Sequence, residues 1–189
     1  MNLAPALLHD VLAFAERFGV VLYPWQREAF AAACRRGAGR FVHRPAGASV
    51  PRGNGKCYGG SLVGALAVVG LWRLLCGRPP QDIISAALDL DGSRIVPDHA
   101  RGIIRGRPGL AGAVEVQANS LLVPSTRSRW TITGREHTAS RGRRPTVVLY
   151  DEIGWARDDE GGRGSAGGHG RAARSSLCRW HKKLAVELV

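Results

Sequence analysis

The sequence is poor in the features that cross-link a chain or anchor it in a membrane. Its four cysteines are dispersed, with no Cys-x-x-Cys pair and no paired histidine spacing, so we expect reduced cytosolic thiols and neither a disulfide framework nor a zinc site. Residues 1–21 lack the basic start and uninterrupted apolar core of a signal peptide. The most apolar run, residues 61–75, is too short to span a bilayer and contains Arg73. We therefore predict a buried helix there and no membrane association.

Acidic residues are also scarce. The chain has 27 Lys and Arg residues against 15 Asp and Glu, which gives a formal net charge of +12. Such a field favours polyanionic partners such as DNA, RNA or nucleotides, bound in a salt-dependent manner. A GC-rich genome that encodes its basic residues as arginine is the alternative explanation.

Hydrophobic periodicity alternates between helical and extended segments. Helices are predicted at residues 7–18, 25–36, 57–76 and 91–105, the last disturbed by Pro97. Short strands are predicted at residues 48–50, 82–88, 114–116, 120–123, 130–133 and 146–150. This alternation predicts an α/β fold, with a doubly wound, mainly parallel sheet and helices on both faces.

The composition changes after residue 160. Residues 161–179 are dominated by Gly, Arg, Ser and Ala without periodicity, so they cannot bury enough apolar surface to become ordered. The sequence thus predicts a folded domain at residues 1–160 and a disordered tail at residues 161–189.

One segment has the composition of a phosphate-binding loop. Glycines that turn backbone N–H groups inward surround an asparagine, and Lys56 adds a positive charge before the long apolar helix. The predicted segment comprises Pro51, Arg52, Gly53, Asn54, Gly55, Lys56 and Cys57. Cys57 stands where the general pattern has a Ser or Thr hydroxyl that holds magnesium. The segment therefore predicts nucleotide binding and leaves hydrolysis in doubt.

Two further features support a nucleotide site. The apolar strand at residues 146–150 leads into Asp151 and Glu152, which suit a magnesium ligand and a general base that polarises the attacking water. An ordinary strand with a solvated acidic turn is the alternative. Upstream, Trp25 is a candidate to stack on an adenine and Gln26 to hydrogen-bond it; the alternative is a core tryptophan and a surface glutamine.

Taken together, these motifs resemble the ATPase domain of the tailed-phage terminase large subunit. The resemblance rests on residues 23–26, on residues 49–56 with their specific Pro-Arg-Gly-Asn-Gly-Lys run, and on residues 149–155. Residues 85–94 and 130–142 resemble the intervening segments, so the likeness covers about residues 20–160. Val50 stands where a plain phosphate loop has glycine.

The resemblance implies a P-loop motor that couples ATP hydrolysis, with Mg²⁺, to packaging of double-stranded DNA. In that family Lys56 would contact the β- and γ-phosphates, and Arg52 would stabilise the γ-phosphate. Asp151, the Walker B carboxylate, would hold the metal together with the residue at position 57, which here is Cys57. Glu152 would polarise the attacking water, and Gln26 would hydrogen-bond the adenine. The implied partners are phage DNA, the portal protein and the terminase small subunit. A homo-oligomeric ring at the procapsid portal, in the host cytoplasm, is also implied.

The sequence departs from the family in three ways. A thiol at Cys57 is a poor ligand for the hard Mg²⁺ ion, so hydrolysis is expected to be impaired. The likeness stops near residue 160, before the family's nuclease domain, and a Gly/Arg-rich continuation is what a reading-frame shift in GC-rich DNA produces. Residues 43–47 and Pro97 are awkward for a central strand and a helix. We interpret these departures as those of a truncated prophage copy.

Two other interpretations fit the same residues. A helicase-type DNA translocase also combines a glutamine motif, a phosphate loop and an Asp-Glu strand end, although the loop here lacks the usual Gly-x-Gly-Lys-Thr ending. A non-catalytic basic remnant that binds nucleic acid through charge is the other. Six arginines before the acidic strand face either a DNA channel, a neighbouring nucleotide or solvent: Arg127, Arg129, Arg135, Arg141, Arg143 and Arg144.

Overall fold

Strands and helices alternate along most of the chain. A computed structural model describes residues 10–37, 40–43, 45–51, 62–87, 90–133, 143–151 and 181–188. The helices are α1 (Val11–Arg17), α2 (Pro24–Ala33), α3 (Leu62–Cys76), α4 (Leu90–Arg105) and α5 (Pro108–Ala111). The strands are β1 (Arg36–Gly37), β2 (Arg40–Phe41), β3 (Pro45–Pro51), β4 (Asp82–Ala86), β5 (Glu115–Val116), β6 (Ser120–Val123), β7 (Ser128–Thr133), β8 (Val147–Asp151) and β9 (His181–Leu188).

The first two helices follow local sequence signals. The Asp10 carboxylate accepts a hydrogen bond from the Leu12 N–H at 2.8 Å and so caps α1. Gly19, whose φ is +61°, follows the helix as predicted. Helix α2 begins at Pro24 but ends at Ala33, three residues earlier than predicted. The prediction was wrong at this end because β1 pairs with β2 in a short hairpin.

The two long helices differ in burial: α3 is buried all round over most of its length, whereas α4 is buried on one side. All residues from 65 to 74 in α3 are buried, which confirms the predicted buried helix. Among the described residues, no helix has the length and apolar character needed to cross a bilayer. Helix α4 continues through Pro97, which is itself buried. Pro97 therefore does not end the helix, although it removes one backbone hydrogen bond.

Seven of the described strands form one mixed sheet, in the order β3-β9-β8-β4-β7-β6-β5. Strand β4 pairs in parallel with both β7 and β8, whereas the other four pairs are antiparallel. Five strands nevertheless run in one direction, since only β9 and β6 run against the rest. The prediction of a mixed α/β fold is confirmed, and the sheet is less uniformly parallel than expected.

The described helices cover one face of the sheet. Residues of all five helices join one hydrophobic cluster with Ile83, Trp130, Val147 and Leu149 from the strands. The other face carries a small separate cluster formed by Ile84, Ala86, Val148 and Tyr150. Helices on both faces were predicted; the described helices support only one such layer.

The tail at residues 161–189 was predicted to be disordered, and β9 corrects this prediction for residues 181–188. Strand β9 lies between β3 and β8 and pairs antiparallel with both. The sequence of β9 alternates at Leu184, Val186 and Leu188, and two neighbouring strands supply backbone partners on both sides. The remaining tail residues, 161–180, lie outside the described part of the chain.

Candidate functional site

The two strands that precede the predicted loop and the predicted acidic pair, β3 and β8, end at the same edge of the sheet. Strand β3 ends at Pro51 and β8 ends at Asp151, and both run in the same direction because each is antiparallel to β9. One intervening strand separates them, which corresponds to about 10 Å between the strand axes. The fold therefore brings the predicted loop and the predicted acidic pair to one side of the molecule.

The strand register sets the relative height of the two ends. Pro51 lies opposite His181, whereas both Asp151 and Ala48 lie opposite Leu184. Strand β3 therefore extends three residues, or about 10 Å, beyond the level of Asp151. A group held by a loop after β3 would lie diagonally across β9 from the end of β8.

Several predicted site residues lie outside the described part of the chain. These are Arg52, Gly53, Asn54, Gly55, Lys56, Cys57 and Glu152. Pro51 and Asp151 are described by their backbone only. Among the described residues, no three His, Cys, Asp or Glu side chains converge on a metal site. The roles predicted for the loop, the metal ligands and the general base stay predictions.

The two upstream candidates lie at the start of α2. Gln26 is fully buried, and its Oε1 accepts a hydrogen bond from the Tyr23 N–H at 2.9 Å. This is the backward half of a capping box, and it stabilises the first turn of the helix. Trp25 is half-buried against the main core. Both side chains thus have a structural role, and their predicted contacts with adenine stay predictions.

Two arginines of the predicted basic cluster are bound within the fold. Arg129 Nε donates to Asp82 Oδ1 at 3.2 Å, and Arg143 Nε donates to Asp82 Oδ2 at 3.0 Å. Burial raises the pKa of Asp82, but hydrogen bonds and charge from Arg143 and then Arg129 outweigh it, so the pKa lies below its usual 3.8. Asp82 begins β4, at the edge opposite Pro51 and Asp151. These two arginines therefore stabilise the far end of the sheet.

A cavity of about 610 Å³ opens beside α3. The connection between α1 and α2 lines one side of it, with Gly64 and Ala65 at the start of α3. The second half of α4 supplies Asp98 and His99. Of the predicted nucleotide-binding residues whose side chains the structure describes, neither Trp25 nor Gln26 lines this cavity.

Sequence reasoning did not single out a second group of basic residues. Arg73, noted only as a charge within an apolar run, is buried near Arg36 of β1. A charged residue in the middle of a long apolar helix was the available signal, because such residues are rarely buried without a partner. The partner residues come from a hairpin distant in sequence.

These observations define an α/β protein in which β3 and β8 end at one edge of a mixed sheet. Comparison with solved structures matches it to the crystal structure of the HK97 bacteriophage large terminase, with a TM-score of 0.63 and 25% sequence identity. The match covers 79% of this chain and 32% of the HK97 protein. No family model matches the sequence, and no curated protein matches it.

The chain is thus a relative of the phage terminase large subunit. It matches about a third of the length of the HK97 protein. The sequence resemblance and the structural likeness point to the same family.

Proposed function

We propose that this chain is the ATP-binding motor portion of a phage DNA-packaging terminase. The observation that carries the proposal is the shared edge of the sheet at which β3 ends at Pro51 and β8 ends at Asp151. Strand β3 leads into the Pro-Arg-Gly-Asn-Gly-Lys run, and α3 begins at Leu62 shortly afterwards. A strand, a glycine-containing loop and a helix N-terminus are the components of a polyphosphate site.

In this proposal the loop amides and Lys56 bind the phosphates of ATP, and Arg52 stabilises the terminal phosphate. Asp151 holds Mg²⁺, which when bound neutralises charge that develops on the transferred phosphate. Glu152 accepts a proton from the attacking water. Double-stranded DNA, a portal protein and a small subunit are the partners that this function requires.

Cys57 is expected to limit hydrolysis more than binding. A thiol offers Mg²⁺ a soft ligand in place of a hydroxyl oxygen, whereas the phosphate contacts of backbone N–H groups do not depend on that side chain. We therefore expect ATP to bind and turnover to be low.

Thermal melting with and without Mg·ATP tests the binding. We expect ATP to raise the melting temperature of the wild type, because a ligand that binds only the folded state stabilises it, and expect Lys56→Ala to remove the rise. Arg78→Ala is the matched control, since Arg78 is exposed and lies in the turn after α3. An equal loss in both variants would contradict a specific site. DNA binding that falls with salt, without any response to ATP, would instead favour the basic-remnant alternative.

Phosphate release tests the role of Cys57. Cys57→Ser is expected to raise Mg²⁺-dependent hydrolysis, and Cys76→Ser is the control that makes the same atomic exchange at the last residue of α3. If neither variant gains activity, Cys57 is not the main defect.

A further inference from the structure

Two arginines and two aromatic rings meet where α3 ends beside the β1–β2 hairpin. The guanidinium carbons of Arg36 and Arg73 lie 4.8 and 4.9 Å from the centre of the Phe41 ring. Both also lie 5.9 Å from the centre of the Trp72 ring. We call these four residues the arginine–aromatic cluster.

Neither guanidinium of the cluster has an acidic partner among the described residues. Arg73 is only 6% exposed, and its Nε is buried without a hydrogen-bond partner within the described part of the chain. The Nε of Arg36 is likewise buried, with no hydrogen-bond partner among the described residues. Buried arginines ordinarily have an acidic partner, so Arg73 is an exception that requires a physical explanation.

The surrounding groups compensate the two charges only in part. A ring face stabilises a nearby cation by about 0.5–2 kcal/mol, whereas removing a charge from water costs several kcal/mol. The C-terminal end of α3 adds about half a negative charge. Burial, and then the charge of Arg36, lower the pKa of Arg73 from 12.5 to about 10. The folded protein therefore holds positive charge here that its own described groups do not neutralise.

The cluster is accessible and separate from the predicted nucleotide site. Arg36 is partly exposed, so an anion can approach from its side. Arg73 lies eleven residues beyond Leu62, the start of α3, which corresponds to about 16 Å along the helix. A ligand at the cluster would thus bind at the other end of α3 from the loop.

We propose that the arginine–aromatic cluster binds a phosphate group, with Arg36 and Arg73 as its two donors. Guanidinium groups match phosphate oxygens in geometry and charge, and a bound phosphate would give the orphaned N–H groups acceptors. The phosphate is either free in solution or part of a nucleic-acid strand. This inference does not rest on the proposed ATPase function.

Calorimetric titration with inorganic phosphate and with pyrophosphate, at constant ionic strength, tests the site. We expect Arg36→Gln to weaken binding at least about tenfold, because it removes a charge-assisted donor. Arg35→Gln, a neighbouring exposed residue, loses the same charge and is expected to bind as the wild type does. Equal weakening in both variants would overturn the proposal.

Lys56→Ala separates this site from the predicted loop. Phosphate binding that persists in Lys56→Ala and is lost in Arg36→Gln supports the cluster. The reverse pattern assigns phosphate to the loop and overturns the cluster proposal, while leaving the ATP site supported.

A short single-stranded oligonucleotide distinguishes the two sources. If the phosphate belongs to a strand, Arg36→Gln weakens oligonucleotide binding more than Arg35→Gln does at the same salt concentration. Equal losses would exclude the strand as the source.

The phosphate-free protein offers a check that does not depend on ligand. Arg73→Met keeps much of the side-chain length and removes the unpaired charge, so we expect a higher melting temperature than that of the wild type. A lower melting temperature would show that the guanidinium stabilises the fold through the rings, and would overturn the proposal.

Discussion

Single residues differ widely in how their charge is compensated. Asp82 receives hydrogen bonds from two arginines, while Arg143 also donates to the Thr131 hydroxyl at 3.2 Å. The side chains of Asp82 and Arg143 are only 20% and 15% exposed. Solvent screens this pair much less than a surface pair, so it is expected to contribute measurably to stability.

Asp82→Asn should therefore lower the free energy of unfolding at pH 7 by about 1–3 kcal/mol. Because the pKa of Asp82 is lowered in the fold, its contribution is fully present above the unfolded pKa. It is lost as the pH falls through the folded value. Urea unfolding at pH 7, 5 and 3 should show the difference from wild type shrinking only below about pH 3.8.

Asp91→Asn provides the control for this prediction. Asp91 pairs with Arg94 at 3.4 Å, but its side chain is 93% exposed. Its replacement is expected to change stability by less than about 0.5 kcal/mol. Equal effects at both positions, or a difference at Asp82 that is unchanged at pH 3, would contradict the stabilising role of the buried pair.

The thiols of Cys34 and Cys76 are expected to be unreactive in the folded protein. Burial raises the pKa of both to about 12 from the usual 9.0, which reduces the thiolate fraction about a thousandfold. Alkylation with iodoacetamide at pH 8, followed by peptide mass spectrometry, should modify both slowly in buffer and rapidly in urea. Rapid modification in buffer would show that helix α3 and its neighbours open readily.

At the level of elements, the contact between α3 and β7 depends on a glycine, Gly70, which has no side chain. Trp130 of β7 is fully buried, and its indole N–H donates to the Ser85 Oγ at 2.9 Å. A Cβ at Gly70 of α3 would lie closer than 3.0 Å to three atoms of the Trp130 ring. The glycine therefore lets the helix approach the sheet.

Gly70→Ala should destabilise the protein by about 1–3 kcal/mol, because the helix or the tryptophan must move. Gly102→Ala is the matched substitution, since a Cβ there meets nothing within 4 Å, and it should stabilise α4 by about 0.5–1 kcal/mol. Thermal melting of the two variants checks the direction of both changes in stability. Two changes of the same sign would contradict the close approach of α3 to Trp130.

The sequence predicts elements whose pattern is local. The hydrophobic pattern correctly predicted the buried part of α3, and it predicted β6 at residues 120–123. Both predictions succeeded because each element buries residues at its own regular spacing. It failed at the end of α2, where β1 and β2 are two-residue strands that are too short to show a period. That Pro51 and Asp151 lie at the same edge of the sheet was predicted only from where their strands end along the sequence.

For the whole molecule, β9 is the element that joins the two parts of the sheet. Strand β3 pairs only with β9 among the described strands, and β9 in turn pairs with β8. The ends of β3 and β8 are therefore positioned through a segment that was predicted to be disordered. Strand pairing is non-local, which explains why periodicity did not reveal which strand lies between them.

Ala185→Pro tests this arrangement. Ala185 pairs with both Gly47 and Tyr150, and proline in an interior strand removes a ladder hydrogen bond. Hydrogen exchange should show protection lost in β3 and β9 but retained in β4 and β7, which serve as the internal control. Unchanged protection of β3 would contradict its pairing with β9.

The position of β9 also has a consequence during synthesis. The partner of β3 is translated about 130 residues after it, which takes roughly ten seconds at typical rates of elongation. Until then β3 is an unpaired edge, and such edges recruit other chains. The nascent protein therefore passes through an interval in which another chain can occupy the edge of β3 before β9 has been made.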